Sequence, residues 1–333
     1  MKKICVFVLL FAVALSTFAD DALVLPKGVF RTYITGAFAF ATQAFDLDGD
    51  KQDLDEESIR IFNLGGAVEY GVTDWISAAV QWAPGWYLWS SFYEATAADA
   101  PLDTATVNGP ADIFAGAKIQ LIGENAPVAN QMFRLAFAPG VKIPLPSPDW
   151  QEEANDQAAG DPWKIFAADK HTLGVGGRAY FDYILNEMIY INLFGEFIYF
   201  PIAKTYEDVG YIEWATVQTL KGLGFPYPEE YEFGFDLTLE AEPHFEMMLT
   251  DGIRFGAGVP VTFFMTPEPK VDGTAQTDED TYLLTVAPNV SLFLMKFPVP
   301  LEFKLGYTLP LLGKNELAAN ILVLQLKSYL KFW

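Results

Sequence analysis

Two stretches of this 333-residue chain gather the residue types that do chemistry. In "FDLTLEAEPHFE", Asp236, Glu240, Glu242, His244 and Glu246 recur at even spacing, with Arg254 just past the next turn. Carboxylates around an imidazole can hold a metal, pass protons or select ions by charge. The metal reading is weak, because the only other histidine, His171, begins a different segment. A spacing of two puts all five side chains on one face of a strand, where like charges repel. Counter-charges such as Lys118, Arg134, Arg178, Arg254 or Lys304 are therefore expected on neighbouring walls. The outcome is either a salt-bridge lattice that stiffens an interior or a constriction that sorts permeants. For the latter the permeation set is Arg134, Arg178, Glu196, Asp236, Glu240, Glu242, His244, Glu246 and Arg254.

The second stretch, "DLDGDKQDLDEE", places seven carboxylates in twelve residues. Asp46, Asp48, Asp50 and Glu57 match four ligand positions of a helix-flanked calcium loop, but Lys51 stands where that loop needs glycine and Gly49 sits two places early. The flanking residues alternate like strands. A solvated acidic loop is the simpler reading, with weak Ca2+ binding as the alternative and no other cofactor expected.

The elements that must position these residues are strands. "MFRLAFAPGVKI" sets Phe133, Leu135, Phe137, Pro139, Val141 and Ile143 against Met132, Arg134, Ala136, Ala138, Gly140 and Lys142. Such a period of two means one apolar face and one small or charged face. The same alternation runs through Leu173 to Tyr183 and Phe233 to Phe245. It predicts strands near 28–43, 58–72, 75–84, 110–122, 131–144, 171–185, 188–200, 231–249, 253–265, 281–294, 300–311 and 318–332. Their connections alternate between short and long, and a loop helix with Trp214, Val217 and Leu220 on one face and Gly222 as its stop falls in "IEWATVQTLKGLG".

The chain opens "MKKICVFVLLFAVALSTFADDA", which reads as a secretory signal over 1–19 with cleavage after Ala19, leaving 20–333 as a single domain. Removing Lys2 and Lys3 takes the net charge from −22 to −24 (−22 − 2), so a nucleic-acid partner is not expected. The one cysteine, Cys5, lies in the leader, so the mature fold has no disulfide. After the leader no run approaches the ~18 apolar residues of a helical span.

An exported, apolar chain with alternating strands, tight turns on one side and long loops on the other reads as all-β. The expected architecture is a transmembrane antiparallel up-and-down β-barrel of about twelve strands, with fourteen as the alternative. Its small and charged face is the lumen. The aromatic residues Tyr70, Trp75, Trp82, Trp86, Tyr87, Trp89, Tyr199, Phe200 and Tyr307 fall at strand ends, where interfacial girdles form. A soluble sandwich would instead turn the apolar face inward.

"TQAFDLDGDKQDL", "VEYGVTDWISAAVQ", "DIFAGAKIQLI" and "FRLAFAPGVKIPLP" resemble the long-chain fatty acid transporter and toluene/phenol-pathway barrels of bacterial outer membranes. The resemblance implies an outer-membrane location in a diderm bacterium, lipid and small hydrophobic solutes as partners, passive diffusion and no nucleotide. The closing "SYLKFW" looks like the carboxyl-terminal signal read by the barrel-assembly machinery. Two features depart from those transporters: only Asp20 to Lys27 precede the first strand, so their amino-terminal plug is missing, and twelve strands stand where they have fourteen.

Mid-strand Pro139, Pro243, Pro260 and Pro288 each remove a ladder donor. By the same resemblance one of them would open the wall sideways, with Pro139 first and Phe133, Phe137 and Val141 lining the exit. Two further function classes are weaker. A surface adhesin rests only on the acidic loops. A lipid hydrolase is disfavoured because no G-x-S-x-G elbow is present and His244 faces the lumen, so the chain is read as a non-enzyme.

Overall fold

The computed structural model describes residues 21–54, 58–93, 104–105, 109–146, 149–152, 155 and 169–331. The expected leader, Glu57 and the closing Phe332 and Trp333 lie outside them. Twelve long strands form the wall: β1 (Val29–Ala41), β2 (Ile59–Thr73), β3 (Ile76–Tyr93), β4 (Ile113–Gly123), β5 (Phe133–Ile143) and β6 (Gly174–Ile184). They continue with β7 (Ile189–Tyr199), β8 (Phe235–Thr250), β9 (Ile253–Gly258 and Val261–Thr266), β10 (Thr281–Val286 and Asn289–Leu294), β11 (Leu301–Lys314) and β12 (Asn320–Lys331). Each pairs antiparallel with the next, and β1 pairs β12 from Val29↔Lys331 to Phe40↔Asn320, so the sheet closes on itself. The count is twelve, and the 201–230 connection holds a helix and a two-residue pairing of Lys204–Thr205 with Glu230–Tyr231 that adds no strand to the wall.

Closure follows from alternation, and burial shows which way the alternation faces. On β12, Leu324 is 58% exposed while its neighbour Gln325 is 7% exposed. Ile34, Val68, Phe137 and Leu193 are likewise exposed, while Arg31, Glu69, Lys118 and Glu242 are buried. A protein in water sorts its side chains the other way. Apolar outside and polar inside is the membrane-spanning barrel, in which acyl chains cover the wall. An apolar groove of about 540 Å³ lined by Ile34, Phe255, Leu305 and Leu324 lies on this outer face.

The prolines weaken the ladder without breaking it. β5 holds one register with β6 through Pro139↔Gly177. Its pairs with β4 skip Ala138 and Pro139 and resume in the same register, Phe137↔Ile119 before and Gly140↔Gly116 after. Phe133, Phe137 and Val141 face outward, beside the missing rungs of the β4–β5 pairing. Pro260 and Pro288 divide β9 and β10, yet Val261↔Val286 and Gly258↔Asn289 belong to one register. Three half-rungs remain at this level: Val259 N–H to the Pro243 carbonyl (3.2 Å), Ala287 N–H to Pro260 (2.9 Å) and Tyr307 N–H to Pro288 (3.0 Å).

Some local expectations are corrected. Phe233, expected on the apolar outer face with Phe235, is buried inside, because Gly234 at φ +78 turns the chain before β8 begins. Phe200 and Tyr87 are also buried rather than part of a girdle, whereas Trp86, Tyr199 and Tyr307 are exposed as expected. Trp89's side chain lies outside the described residues. The loop helix α1 (Tyr211–Leu223) runs through Gly222 and stops at Gly224, whose φ of +70 supplies the left-handed C-cap. Val217 is its buried anchor.

Leu324 tests the outward face. Leu324→Arg puts a charge among acyl chains and should cost about 2–4 kcal/mol if it sits near the midplane. The readout is the urea midpoint of folding into phospholipid vesicles; an unshifted midpoint would place Leu324 away from lipid.

Candidate functional site

The lumen is the one place where strands from the whole wall converge, and it is layered. Near the outer ends of β1, β2 and β12, Ala37, Ala39, Ala41, Ile61, Ile321 and Val323 point inward and pack with Tyr87 and Leu317. On the opposite wall Phe114, Ile198, Phe200 and Phe233 form a second apolar cluster with Tyr231. Toward the turns the same inward positions carry charge. The layering is written in the strands themselves, since Arg31 and Tyr33 precede Ala37 to Ala41 on β1 and Ile61 precedes Glu69 on β2.

Most charges of the inner half meet an opposite one on a neighbouring strand. Arg31 clamps the Glu69 carboxylate from Nη2 (2.6 Å) and Nε (3.1 Å), and Gln81 donates to its other oxygen (3.5 Å). Arg178 donates to Glu196 directly opposite and to Gln81, and its guanidinium lies 3.9 Å from the Phe114 ring centroid. Arg134 pairs with Asp182 (3.5 Å). Arg254 reaches back over the β8–β9 turn to Glu246 (2.9 Å), whose other oxygen accepts from the Tyr190 hydroxyl (3.1 Å). Glu240 accepts from the Thr262 hydroxyl (2.7 Å). Pairing is the condition for burying these groups, since an isolated buried charge would cost far more than a hydrogen bond returns.

His244 lies between two carboxylates. Its Nδ1 is 3.2 Å from Glu242 Oε1 and its Nε2 3.6 Å from Glu246 Oε1, and its ring stacks on Tyr190 at 4.6 Å. Glu242 is fully buried, also accepts from Asn289 Nδ2 (3.3 Å), and occupies space that Gly258 leaves open: a Cβ there would fall on the carboxylate. His244 Nδ1 thus lies within hydrogen-bond distance of Glu242, while Nε2 is buried with no hydrogen-bond partner.

Of the permeation set, the structure brings Glu240, Glu242, His244, Glu246 and Arg254 together on β8 and β9 and Arg178 with Glu196 on β6 and β7. Asp236 sits apart near the outer rim, paired with Lys170. There Asp112, almost fully buried, accepts from the backbone of Leu145 (3.0 Å) and His171 (3.0 Å) and stands 3.3 Å from the His171 ring. Lys142 pairs with Asp169 (2.8 Å). Glu316, between β11 and β12, is also buried, and burial pushes its carboxyl up to about 8.

The rim pairs use loop residues that alternation could not place. Arg31, Glu69 and Lys118, by contrast, stand at inward positions of their strands and were readable as lumen residues.

Among the described residues no group of three or more metal-ligating side chains comes together. In the first outer loop Gln43–Phe45 pairs with Lys51–Asp53 as a hairpin. Asp46 caps its turn, accepting from the N–H groups of Asp50 (2.9 Å) and Asp48 (3.0 Å) and from Gln52 Nε2 (2.9 Å). The Asp50 N–H foremost holds the Asp46 carboxyl below the usual carboxylate range. Of the four carboxylates of the calcium expectation, Asp46, Asp48 and Asp50 are described, and Asp46 is engaged in its own turn.

No protein-family model and no curated protein matches the chain in sequence. Solved structures match in fold. An outer membrane channel from Pseudomonas putida F1 is 14% identical with a TM-score of 0.63, over 94% of this chain and 99% of that one. A FadL homologue from Pseudomonas aeruginosa is 10% identical at TM-score 0.39, over 92% and 90% of the two chains. The translocator domain of the autotransporter NalP from Neisseria meningitidis is 11% identical at 0.46, over 92% and 90%. The first of these fixes the fold: a barrel of the bacterial outer-membrane type.

Two outcomes follow from the site. Gly258→Ala should destabilise the barrel by about 1–3 kcal/mol through overpacking against Glu242, and Glu242→Ala in the same chain should recover part of that loss in a double-mutant cycle. Additive effects would separate the two residues. For Glu316, a folded-state pKa above the unfolded value means that stability falls as pH rises from the ordinary carboxyl range through about 8. Glu316→Gln should therefore be more stable than the native chain at alkaline pH, with the difference shrinking under acid; a pH-independent difference would contradict the burial.

Proposed function

We propose that this chain is an outer-membrane channel that admits small hydrophobic solutes by passive diffusion. The observation that carries it is the split lumen. A solute arriving between the outer loops meets Ala, Ile, Val and Phe side chains beside the rim pairs Lys170–Asp236 and Lys142–Asp169, and deeper a layer whose charges are largely paired with one another. An apolar vestibule favours apolar solutes by burial, and an internally neutralised inner layer exerts little pull on ions of either sign. The acidic excess of the whole chain, −22, then resides largely on the loops. The fold shared with a channel of Pseudomonas putida F1 supports the reading at the level of architecture. Insertion through the barrel-assembly machinery belongs to the same proposal.

The hydrolase alternative gains no specific observation. His244 is bracketed by carboxylates, and His171 is bound to Asp112 and to the Leu145 carbonyl at the rim (2.8 Å). The adhesin alternative gains no specific observation.

Planar bilayers test the channel directly. Purified protein should produce discrete, weakly ion-selective conductance, and uncharged aromatic solutes on the loop side should interrupt it at lower concentrations than sugars of equal size. A silent protein, or equal interruption by both solute classes, would defeat the proposal.

A further inference from the structure

Near the inner end of β8 the ring of His244 is enclosed by polar groups from strands β7 to β11. Tyr190 of β7 lies directly opposite it in the ladder, stacks on it at 4.6 Å and sends its hydroxyl to Glu246 Oε1 (3.1 Å). Glu242 and Glu246 flank the ring on its own strand. On β9 glycines stand opposite, Gly258 to His244 and Gly256 to Glu246, and Arg254 reaches Glu246 Oε2 (2.9 Å). Asn289 of β10 donates to Glu242 (3.3 Å). Ser291 of the same strand borders the ring across Gly256, where a Cβ would lie 2.5 Å from the Ser291 hydroxyl and 3.4 Å from His244 Nε2. Lys304 of β11, paired in register with Ser291, is close enough to act electrostatically on both Glu242 and the ring.

The two nitrogens of this ring are placed differently. Nδ1 lies 3.2 Å from Glu242 Oε1, and an ionised carboxylate only accepts, so the neutral ring keeps its hydrogen on Nδ1. Nε2 makes no hydrogen bond, and Glu246 Oε1 stands 3.6 Å from it. A proton added at Nε2 therefore faces a second carboxylate, one already held in place by Tyr190 and Arg254. The imidazolium then has an acceptor on each side, while the stacked Tyr190 fixes the plane of the ring. Histidine is the side chain whose ordinary charge change falls between about pH 5 and 8, so a proton is the ligand that suits this arrangement.

We infer that His244, bracketed by Glu242 and Glu246, is a proton-binding site in the wall of the lumen and that its occupancy sets the ion preference of the pore. The consequence rests on the channel reading; the site itself does not. Each proton taken up adds one positive charge beside the path. As pH falls through the imidazole range the lumen therefore turns toward anions, and as pH rises it turns toward cations.

Two measurements on the full-length, processed protein test it. The first is imidazole-nitrogen NMR of the barrel in lipid nanodiscs. The chain has only two histidines, so the signals lost in His244→Gln identify the ring, and should that variant not fold, His171→Gln makes the same assignment from the other side. Hydrogens are expected on both nitrogens at about pH 5 and on Nδ1 alone at about pH 9. A ring that keeps one form throughout, or a neutral ring with its hydrogen on Nε2, would overturn the site.

The second measurement is the reversal potential across a planar bilayer in a potassium chloride gradient, after heat-modifiable gel mobility confirms a folded barrel. In the native chain it should move toward the chloride value on acidification over the same range, and His244→Gln should lose most of that movement. The difference between the two chains separates the ring from other groups that titrate in this range, Glu316 among them. Equal movement in both overturns the ring's control of ion preference and leaves the channel reading intact. A silent bilayer beside an intact NMR titration overturns the channel reading and the consequence with it, and supports the site.

Discussion

A polypeptide in hydrocarbon has no water to satisfy its peptide groups, so each N–H and C=O must find a partner within the wall. That constraint closes the sheet, which is why β1 and β12 pair over their full length. It also explains how the prolines are tolerated. Pro243, Pro260 and Pro288 each give up one donor, but the opposing N–H still binds the proline carbonyl, and the register survives. The wall loses half-rungs at these three and keeps its register.

Closing the sheet forces the second condition, because one face must then meet acyl chains and the other must meet an enclosed space. The enclosed space admits charge only in pairs. Arg31 with Glu69, Arg178 with Glu196 and Arg254 with Glu246 each span neighbouring strands, so every pair also pins register. Glycines at inward positions make the room: Gly258 for Glu242, and Gly71 for the carbonyls of Leu25 and Pro26. The apolar outer half and the paired inner half are therefore two solutions to filling one cylinder, and the order in which a solute meets them gives the proposed function its direction.

Twelve strands were legible because a period of two over ten or more residues leaves few alternatives, and the faces assigned from "MFRLAFAPGVKI" hold in the structure. What alternation could not show was anything that depends on a local turn. Gly234 reverses the side of Phe233, and Gly224 rather than Gly222 ends α1 because the left-handed residue is the later one. The loop-borne partners Asp169 and Lys170 were invisible for the same reason, and Asp112 falls just ahead of its strand rather than within it. The segment ahead of β1, too short to match the plug of the resembled transporters, nonetheless buries Ala22 against Ala136, Ala138 and Tyr180. The acidic first loop matched a ligand pattern in composition, while its geometry spends Asp46 on its own turn.

The central claim is that greasy side chains face lipid and polar ones face enclosed water. Spin labels placed singly from 321 to 326 on β12 measure it most directly, through collision with oxygen, which concentrates in the bilayer, and with a water-soluble nickel complex. The account predicts oxygen maxima at 322, 324 and 326 and minima at 321, 323 and 325. A profile of opposite phase, or one without a period of two, would contradict it.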